Sequence, residues 1–424
     1  MVGRKGTSSG AKPKTGKTSA PNKRGQPKKG PATLSSQETE DEPGQKRTIS
    51  PEERKRQQRV LDVFRHAFGE VLSSSNFTDT LQSVKQALYD RDFARAFSNS
   101  EYLEVYAARW SPTRALCYAS VLERIRDHLQ SLSACPALDN IVQQQHEEVC
   151  QNGSDEGKLL AHDSSMTRRQ LNIFSIGGGA AELVALGAFL SHQSSSPTTT
   201  TTSSSSSSFP PPLSGAITLL DSGPWGVVVT KLTEAITAPP PISKYASEAA
   251  KQANAAMVPP SCFAVSFLQR DALTLDQSNL PAVLGPVPLL VTILFTLNEL
   301  FTAGGLRRTT TLLLELTAAV PVGSLLLVVD SPGSYSETAV GKEAKRYPMH
   351  WLLDRVLLGT RDEPVGGRRR WAKLESHESL WFRLAGELDY PIALENMRYQ
   401  MHLYRAEDAS QDEEKSDDSD KDDD

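Results

Sequence analysis

Five short apolar segments, separated by stretches of helical length, follow one another between residues 171 and 330. They read LNIFSI (171–176), AITLLD (216–221), CFAVSFL (262–268), LLVTILFTL (289–297) and SLLLVVD (324–330). Continuous apolar runs of this length are typical of parallel strands that are buried on both faces. Their alternation with helices predicts an α/β fold, an open sheet with helices on both faces, whose strands all end at one edge.

Three consecutive glycines, Gly177, Gly178 and Gly179, stand between the first predicted strand and a predicted helix. Glycines there let the backbone approach a bound nucleotide, and the start of the helix offers free N–H groups. In such sites an acid that closes the next strand, about 20 residues later, accepts hydrogen bonds from the ribose hydroxyls. Asp221 closes the second strand, but it lies 44 positions after Gly177.

A low-complexity stretch rich in Ser, Thr and Pro accounts for the excess distance. It covers residues 191–214, and leaving out its 24 residues reduces the separation of Gly177 and Asp221 to 20. We therefore predict a flexible insertion at the rim of the sheet, and a nucleotide site made of the glycines and Asp221. The alternative is that the glycines only turn the chain and that Asp221 only ends a strand.

Glu182 bears on which nucleotide is bound. A dinucleotide site requires a third glycine at this position, and a carboxylate would repel the pyrophosphate. S-adenosylmethionine has no phosphate, and both its sulfonium and its ammonium are cationic, so Glu182 is compatible with it and is a candidate ligand of the ammonium. The alternative interpretation is a carboxylate that compensates the dipole of the helix.

Asp271 lies just past the carboxyl end of the third predicted strand. In methyltransferases of this architecture an acid here accepts the adenine amino group, and the backbone N–H of the next residue, here Ala272, reaches a ring nitrogen. Asp271 is equally suited to cap a helix without any ligand. Candidate groups at the ends of three successive strands favour the adenosyl cofactor.

The segment before the sheet, residues 50–150, is predicted to be entirely helical. Ser50 is a helix cap, Pro51 occupies the first helical position, and apolar residues then recur at helical spacing,. Two tails of opposite charge flank the folded part, a basic one over 1–49 and an acidic one over 406–424. Both contain few or no large apolar residues and are predicted to be disordered,. The basic tail suits phosphate contact or a nuclear address, or it only keeps the chain soluble.

The composition excludes several other classes of protein. Four cysteines are widely separated and show no zinc-ligand spacing, so we expect no metal site,. No signal peptide opens the chain, and no apolar run reaches the roughly 18 residues of a membrane span. We therefore expect a soluble intracellular protein without a membrane partner.

Several segments together resemble the fungal family of 25S ribosomal RNA (uridine-N(3))-methyltransferases. They are IFSIGGGAAELVAL, ITLLDSGPWGVVV, VSFLQRDAL, LLVTILFTLNELF and, upstream, YAARWSPTRALCYASVLERI. The resemblance covers roughly residues 55–405. It implies a class I, Rossmann-like methyltransferase domain over 165–405 that uses S-adenosyl-L-methionine. It also implies methylation of ring nitrogen 3 of a uridine, with ribosomal RNA or a pre-ribosomal particle as partner, in the nucleolus of the nucleus.

The chain departs from the general class I pattern at one position. The acid that often stands two positions before the first loop glycine is Ser175 here. Because that acid commonly helps to hold the methionine end of the cofactor, the ammonium needs another ligand. Glu182 or a group on another strand is expected to supply it.

Asn298 and Glu299 follow the fourth predicted strand and are the predicted catalytic residues. N3 of uridine carries a weakly acidic proton, so methylation near neutral pH requires a base or a site that favours the deprotonated imide. Asn298 is expected to hydrogen-bond the uracil edge and Glu299 to accept the proton, directly or through water. The alternative for Glu299 is a carboxylate at the start of a helix.

One arginine-rich segment is a candidate contact for RNA. GGRRRWAKLESHESLWFRL places Arg368, Arg369, Arg370 and Lys373 beside Trp371, a mixture suited to phosphate contact and stacking,. It is equally compatible with a solvated loop before the last strands.

Other functions remain open from the sequence. The same cofactor site would serve a methyltransferase that acts on a protein or a small molecule. A non-catalytic ribosome assembly factor could also retain the fold. A nicotinamide-dependent oxidoreductase is disfavoured by Glu182.

Overall fold

The computed structural model describes residues 49–133, 169–195, 213–332, 337–340, 345–359 and 369–408. All of them belong to one compact unit that spans Lys46–Asp424. Nearly all of the two predicted tails and most of the predicted insertion lie outside the described residues, so their disorder stays a prediction. Residues 134–150 of the predicted helical region also lie outside the described residues, so their helical structure stays a prediction.

A seven-stranded sheet forms the centre of the unit, with the order β3-β2-β1-β4-β5-β9-β8. The strands are β1 Gln170–Ile176, β2 Ser214–Asp221, β3 Phe263–Gln269, β4 Leu290–Leu294, β5 Leu325–Asp330, β8 Arg369–Phe382 and β9 Met397–Asp408, and β6 Glu337–Val340 pairs separately with β7 Lys345–Pro348. The first five strands run parallel, whereas β9 is antiparallel to both β5 and β8. The predicted open α/β sheet is confirmed.

Helices cover both faces of this sheet. Before it come α1 Pro51–Ala67, α2 Gly69–Ser73, α3 Phe77–Tyr89, α4 Phe93–Ala96, α5 Ser100–Arg109, α6 Ser111–Arg124 and α7 Arg126–Ser133. Between and after the strands come α8 Ala180–Ser195, α9 Gly226–Thr237, α10 Glu248–Gln252, α11 Leu280–Leu284, α12 Leu297–Glu299, α13 Gly305–Ala319 and α14 Met349–Leu357. The predicted start of the first helix is confirmed, because the Ser50 hydroxyl accepts the Glu53 N–H at 3.1 Å.

The helices before the sheet share the core of one of its faces. α6 packs against α8, and Tyr118 and Val121 lie beside Ile173 of β1. The buried apolar side chains of α1, α5 and α6 therefore form one cluster with those of the sheet. α13 and α14 close the opposite face with a second cluster. This packing brings α5 and α6 to the edge where the parallel strands end.

Two local predictions differ from the structure. The fourth strand ends at Leu294, three residues earlier than the apolar run, because Phe295 adopts φ +56° and turns the chain into α12. The arginine-rich segment from Arg369 onward is not a solvated loop: it forms β8, which pairs with β9 along its length. Arg368 lies outside the described residues.

Within the described ranges, every helix is too short or too polar to cross a bilayer.

The predicted insertion leads to a first testable result. α8 ends at Ser195 and β2 begins at Ser214. Replacing Ser194–Pro212 by a short linker is expected to leave the melting temperature and cofactor affinity nearly unchanged, because loop-closure entropy varies slowly with loop length. Calorimetry of the purified deletion variant measures both. A folded variant that no longer binds cofactor would show that the stretch shapes the site.

Candidate functional site

A pocket lies outside the carboxyl ends of the parallel strands, where β1 has β2 on one side and β4 on the other. In open α/β sheets ligands bind at such a point, because the flanking connections leave in opposite directions and open a crevice. The residues that line the pocket are Phe97, Tyr106, Ser111, Arg114, Gly177, Gly179, Ala180, Ala181, Glu182, Asp221, Trp225, Leu294, Phe295, Thr296 and Glu299.

The pocket contains some of the predicted site residues and not others. Gly177, Gly179, Glu182, Asp221 and Glu299 line it together, although they come from the ends of three different strands. Gly178, Asp271, Ala272 and Asn298 are outside this lining. Phe97, Tyr106 and Arg114 complete the wall from the helical segment. No sequence pattern predicted a site role for these three residues, although Tyr106 and Arg114 lie in the upstream segment that carries the family resemblance.

The glycine loop packs so closely that side chains at Gly177 and Gly178 would clash with their neighbours, and one at Gly179 would be tight. Gly177 has φ +70°, and a Cβ added there would lie 2.3 Å from Oγ1 of Thr296. A Cβ on Gly178 would lie 2.4 Å from the Ser175 hydroxyl, and one on Gly179 would lie 3.2 Å from the Trp225 ring. The loop thus leaves bare backbone at the pocket, which fits the close approach of a nucleoside cofactor.

Asp221 ends β2 with its carboxylate toward the pocket. Oδ1 accepts the backbone N–H of Gly223 at 2.7 Å, which fixes the side chain. Burial raises the pKa of Asp221 to about 6, against the opposing effect of the Gly223 N–H and the Trp225 indole. A buried carboxylate whose charged form is disfavoured gains stability from a hydrogen-bond donor such as a ribose hydroxyl.

Glu182 lies in the first turn of α8, and its position is compatible with both predicted roles, the helix-start carboxylate and the ligand of the cofactor ammonium. Oε2 accepts the backbone N–H of Gly179 at 2.9 Å, the contact of a carboxylate that caps its own helix,. The side chain also lines the pocket. Burial raises the pKa of Glu182 to about 7, and the neighbouring Asp221 raises it further, whereas Arg114 opposes the shift.

Arg114 is a functional candidate that sequence reasoning missed. Its guanidinium lies 5.5 Å from the ring centre of Tyr106 and 5.3 Å from that of Phe295, and it donates a hydrogen bond to the Tyr106 hydroxyl. Burial lowers the pKa of Arg114, but the charges of Tyr106 and Tyr118, followed by those of Glu299 and Glu182, outweigh this and raise the pKa overall. The guanidinium is therefore permanently charged at the pocket.

The charges of the pocket match those of an amino-acid cofactor with a sulfonium. Among the described residues of its lining, three carry carboxylates, Glu182, Asp221 and Glu299, and Arg114 carries the positive charge. S-adenosylmethionine has two cationic groups and one carboxylate. A pyrophosphate would instead meet mostly like charges, so Asp221 and Glu299 disfavour a dinucleotide as Glu182 does.

The chain just beyond β4 is strained, and it is held by hydrogen bonds to the end of β5. Phe295 has φ +56°, which is uncommon for an aromatic residue, and its N–H donates to the Val329 carbonyl at 2.7 Å,. A π-helix follows at Leu300–Gly304. Oδ2 of Asp330, at the end of β5, accepts the Asn298 N–H at 3.0 Å, so β5 supports the start of α12.

Glu299 lines the pocket just past this turn. Burial raises the pKa of Glu299 to about 7; the nearby charges of Asp330 and Asp221 raise it, and that of Arg114 lowers it. A carboxyl group of this pKa exchanges protons readily near neutral pH, as a general base requires. Asn298 is held through its backbone beside Asp330, and its predicted contact with uracil stays a prediction.

The structure accounts for Asp271 by contacts within the protein. Its Oδ1 accepts the Leu273 N–H at 2.9 Å and so caps a short 3-10 helix, and Arg308 lies 3.4 Å from Oδ2. Ala272 is buried in this turn. Asp271 still follows the strand next to β2, so its predicted contact with adenine stays a prediction.

Ser175 contributes to the core instead of to the pocket. It is buried, and its hydroxyl accepts a hydrogen bond from Thr292 of β4 at 2.9 Å. The carboxylate that many related sites have at this position is therefore replaced by a link between β1 and β4.

The arginine-rich segment is largely occupied by contacts within the fold. Trp371 is only 4% exposed, and its indole N–H donates to Thr317 at 2.9 Å. Lys373 donates to Asp354 at 2.7 Å, and Arg370 pairs with Glu407 at 3.2 Å. These side chains hold β8 against α13, α14 and β9, so the segment does not form the predicted exposed mixture of a tryptophan and basic residues.

Across the ranges that the structure describes, the His, Cys, Asp and Glu side chains form no group of three able to hold a metal ion.

Comparison with known proteins identifies relatives over most of the chain. A family model described as "Putative SAM-dependent methyltransferase" matches residues 64–405. The 25S rRNA (uridine(2843)-N(3))-methyltransferase of Saccharomyces cerevisiae is 30% identical over 372 residues, which cover 85% of this chain and 86% of the yeast protein.

Two solved structures are more distant. An O-methyltransferase family protein from Burkholderia thailandensis is 12% identical with a TM-score of 0.30, and the match covers 80% of this chain and 74% of the other. The N-methyltransferase NodS from Bradyrhizobium japonicum, in complex with S-adenosyl-L-homocysteine, is 10% identical with a TM-score of 0.25, over 55% and 77% of the two chains.

Proposed function

Since this chain belongs to the SAM-dependent methyltransferase family, we propose that it methylates ring nitrogen 3 of a uridine in large-subunit ribosomal RNA. One observation carries the proposal for the chemistry. Glu299, with a pKa of about 7, lines the same pocket as the glycine loop and Asp221. The yeast relative, named for this reaction on 25S rRNA, supports the substrate.

The pocket residues have distinct roles toward the cofactor. When bound, S-adenosyl-L-methionine supplies an electrophilic methyl group. Asp221 accepts hydrogen bonds from the ribose, and Glu182 binds the ammonium of the methionine part in place of the acid that Ser175 replaces. Arg114 binds the methionine carboxylate, for which its planar, doubly stacked guanidinium is suited,.

Glu299 is the general base of the reaction. It accepts the N3 proton of uridine, which leaves N3 with an electron pair. With the cofactor bound, this pair would form the new bond to the methyl carbon, while the bond from that carbon to sulfur would break and leave its electron pair on the sulfur as a neutral thioether. The aromatic wall of Phe295, Tyr106 and Trp225 keeps water out and so favours transfer to the nucleobase,. The target uridine must be unstacked to reach the pocket, and an unpaired RNA segment makes this less costly.

The partner is ribosomal RNA within a pre-ribosomal particle, and the protein acts in the nucleolus. The basic segment over residues 1–49 supports both, because it suits phosphate contact and a nuclear address,. This segment lies almost entirely outside the described residues, so the support comes from its composition alone.

The role of Asp221 can be tested by binding. Asp221→Ala is expected to weaken S-adenosylhomocysteine binding tenfold or more, because hydrogen bonds to a charged acceptor contribute about 1.5–3 kcal/mol each. Asp79→Ala, at an exposed position of α3, is the matched control and should leave the affinity unchanged. Isothermal titration calorimetry measures both. Unchanged affinity in a folded Asp221→Ala protein would refute the ribose contact.

The substrate is tested by mass-spectrometric mapping of large-subunit rRNA from cells that lack the protein. Loss of one N3-methyluridine, restored by the wild type and not by Glu299→Gln, is the expected result. A complete set of rRNA methylations would instead favour a methyltransferase of proteins or small molecules. Restoration by Glu299→Gln as well would point to an assembly factor that retains the fold, or to a different base.

A further inference from the structure

An exposed tryptophan on β8, the last strand in the order of the seven-stranded sheet, lies beside two arginines. Trp381, near the end of β8, is 51% exposed, although the other Trp, Phe and Tyr side chains of β8 and β9 are buried. The guanidinium of Arg383 lies 5.2 Å from its ring centre and that of Arg398 lies 5.8 Å away. We call Trp381, Arg383 and Arg398 the Trp381 surface.

The strand directions place this surface at the edge of the sheet that carries the pocket. Asp330, the last residue of β5, pairs with Gln400 of β9. Because β9 is antiparallel to β5, Arg398 lies beyond the carboxyl end of β5, and Trp381 of β8 pairs with Arg398. From strand spacing and rise, the Cα of Trp381 is about 12 Å from that of Asp330.

Asp330 in turn connects to the reactive part of the pocket. Its carboxylate accepts the Asn298 N–H, and Glu299 follows directly. The Trp381 surface therefore flanks the pocket on the β5 side, opposite Asp221 and the third strand. A substrate that presents one base to Glu299 and continues past β5 would meet Trp381 next.

The chemistry of the surface fits unpaired nucleic acid. A half-exposed indole loses apolar contact with solvent when a base stacks on it, and every base has a π-face that can stack. The two arginines beside the ring are suited to bind phosphates, and Arg398 is oriented by the hydrogen bond from its Nε to Ser379 at 2.8 Å,. An apolar protein partner would gain little from a single ring bordered by two charges.

We propose that the Trp381 surface binds unpaired nucleotides next to the target base, with a base stacked on Trp381 and phosphates on Arg383 and Arg398. This inference rests on the proposed function, since it takes RNA as the substrate. It adds a site, outside the cofactor pocket, that determines how the RNA strand continues from the target base.

The test measures binding of a fluorescently labelled oligouridylate to the full chain with S-adenosylhomocysteine present. Trp381→Ala should weaken binding at least fivefold and leave the salt dependence unchanged, whereas Trp381→Phe should keep most of the affinity. Arg383→Ala and Arg398→Ala should each reduce the slope of log K against log salt by about 0.7, the value for one phosphate contact on a single strand. Tyr89→Ala and Arg95→Ala, exposed positions on the helical segment, are the matched controls.

Melting temperature and S-adenosylhomocysteine affinity, measured on every variant, separate loss of contact from loss of fold. If Trp381→Ala binds RNA as tightly as the wild type does, and the wild type methylates rRNA, the proposed role of the Trp381 surface is wrong. The proposed function then still stands. A wild type that binds no RNA and methylates none overturns both. Normal binding of free RNA by Trp381→Ala, together with loss of its association with pre-ribosomal particles, would assign the surface to a protein and also overturn the proposal.

Discussion

Replacement of Glu299 by Gln is expected to lower the rate of methyl transfer about 100-fold, within the range that general-base catalysis contributes. Gln keeps the shape of the side chain and its hydrogen bonding, so cofactor affinity should hold. Single-turnover transfer of labelled methyl groups to rRNA from a strain lacking the protein measures the rate. Glu234→Gln, an exposed glutamate on α9, is the matched control.

The pH dependence identifies the role of Glu299 more specifically than the rate alone. Because burial holds the pKa of Glu299 at about 7, the wild-type rate should rise with pH up to about 7 and then level off as the carboxylate becomes fully ionised. In Glu299→Gln the levelling of the rate near pH 7 should be lost. The rate should instead continue to rise about tenfold per pH unit as more of the uracil imide ionises. A Gln variant with normal turnover would return Glu299 to the role of a helix-start carboxylate.

Replacement of Arg114 by Met is expected to weaken S-adenosylhomocysteine binding about 100-fold. Removal of one partner from a desolvated, hydrogen-bonded charge pair typically costs 2–5 kcal/mol, and the cofactor's carboxylate would be left without its partner. Arg114→Lys keeps the charge but loses the planar fork and the stacking on Tyr106 and Phe295, so it should recover only part of the affinity. Calorimetry of the purified proteins measures the affinities.

A truncated ligand distinguishes this contact from a structural effect. Methylthioadenosine lacks the amino-acid part, so its affinity for Arg114→Met should equal its affinity for the wild type. Arg307→Met, at an exposed position of α13, controls for loss of a positive charge elsewhere. Equal losses for both ligands would mean that Arg114 only holds Tyr106 and Phe295 in place, and the carboxylate contact would then be wrong.

A pocket residue can be recognised in the sequence when the pattern that places it at the pocket lies next to it in the chain. The glycine loop and Asp221 follow short apolar runs directly, so local patterning indicated both. The 20-residue spacing was recovered because a stretch of Ser and Thr has a composition that differs from the folded sequence on either side. Glu299 was found in the same way, from its position just past an apolar run.

Arg114 shows what such reasoning misses. It lies in an ordinary amphipathic helix, 63 residues before Gly177. The segment around it, YAARWSPTRALCYASVLERI, carries part of the family resemblance, but no local pattern marks Arg114 itself as a site residue. It reaches the pocket because α6 packs against α8. The raised pKa values of Glu182 and Glu299 have the same origin, since burial is their largest cause and depends on the whole assembly.

The apolar runs by themselves determined the parallel sheet, the edge at which its strands end and the glycine loop at that edge, because a buried strand requires a continuous apolar segment wherever it lies. Only the tertiary structure decided the fates of Trp371 and Trp381, two tryptophans of one strand in similar basic surroundings. Trp371 lies under α13 and donates to Thr317, whereas Trp381 extends past the last strand pair of β5 into solvent. Exposure depends on which elements cover a strand, and this is a property of chain segments far apart in the sequence.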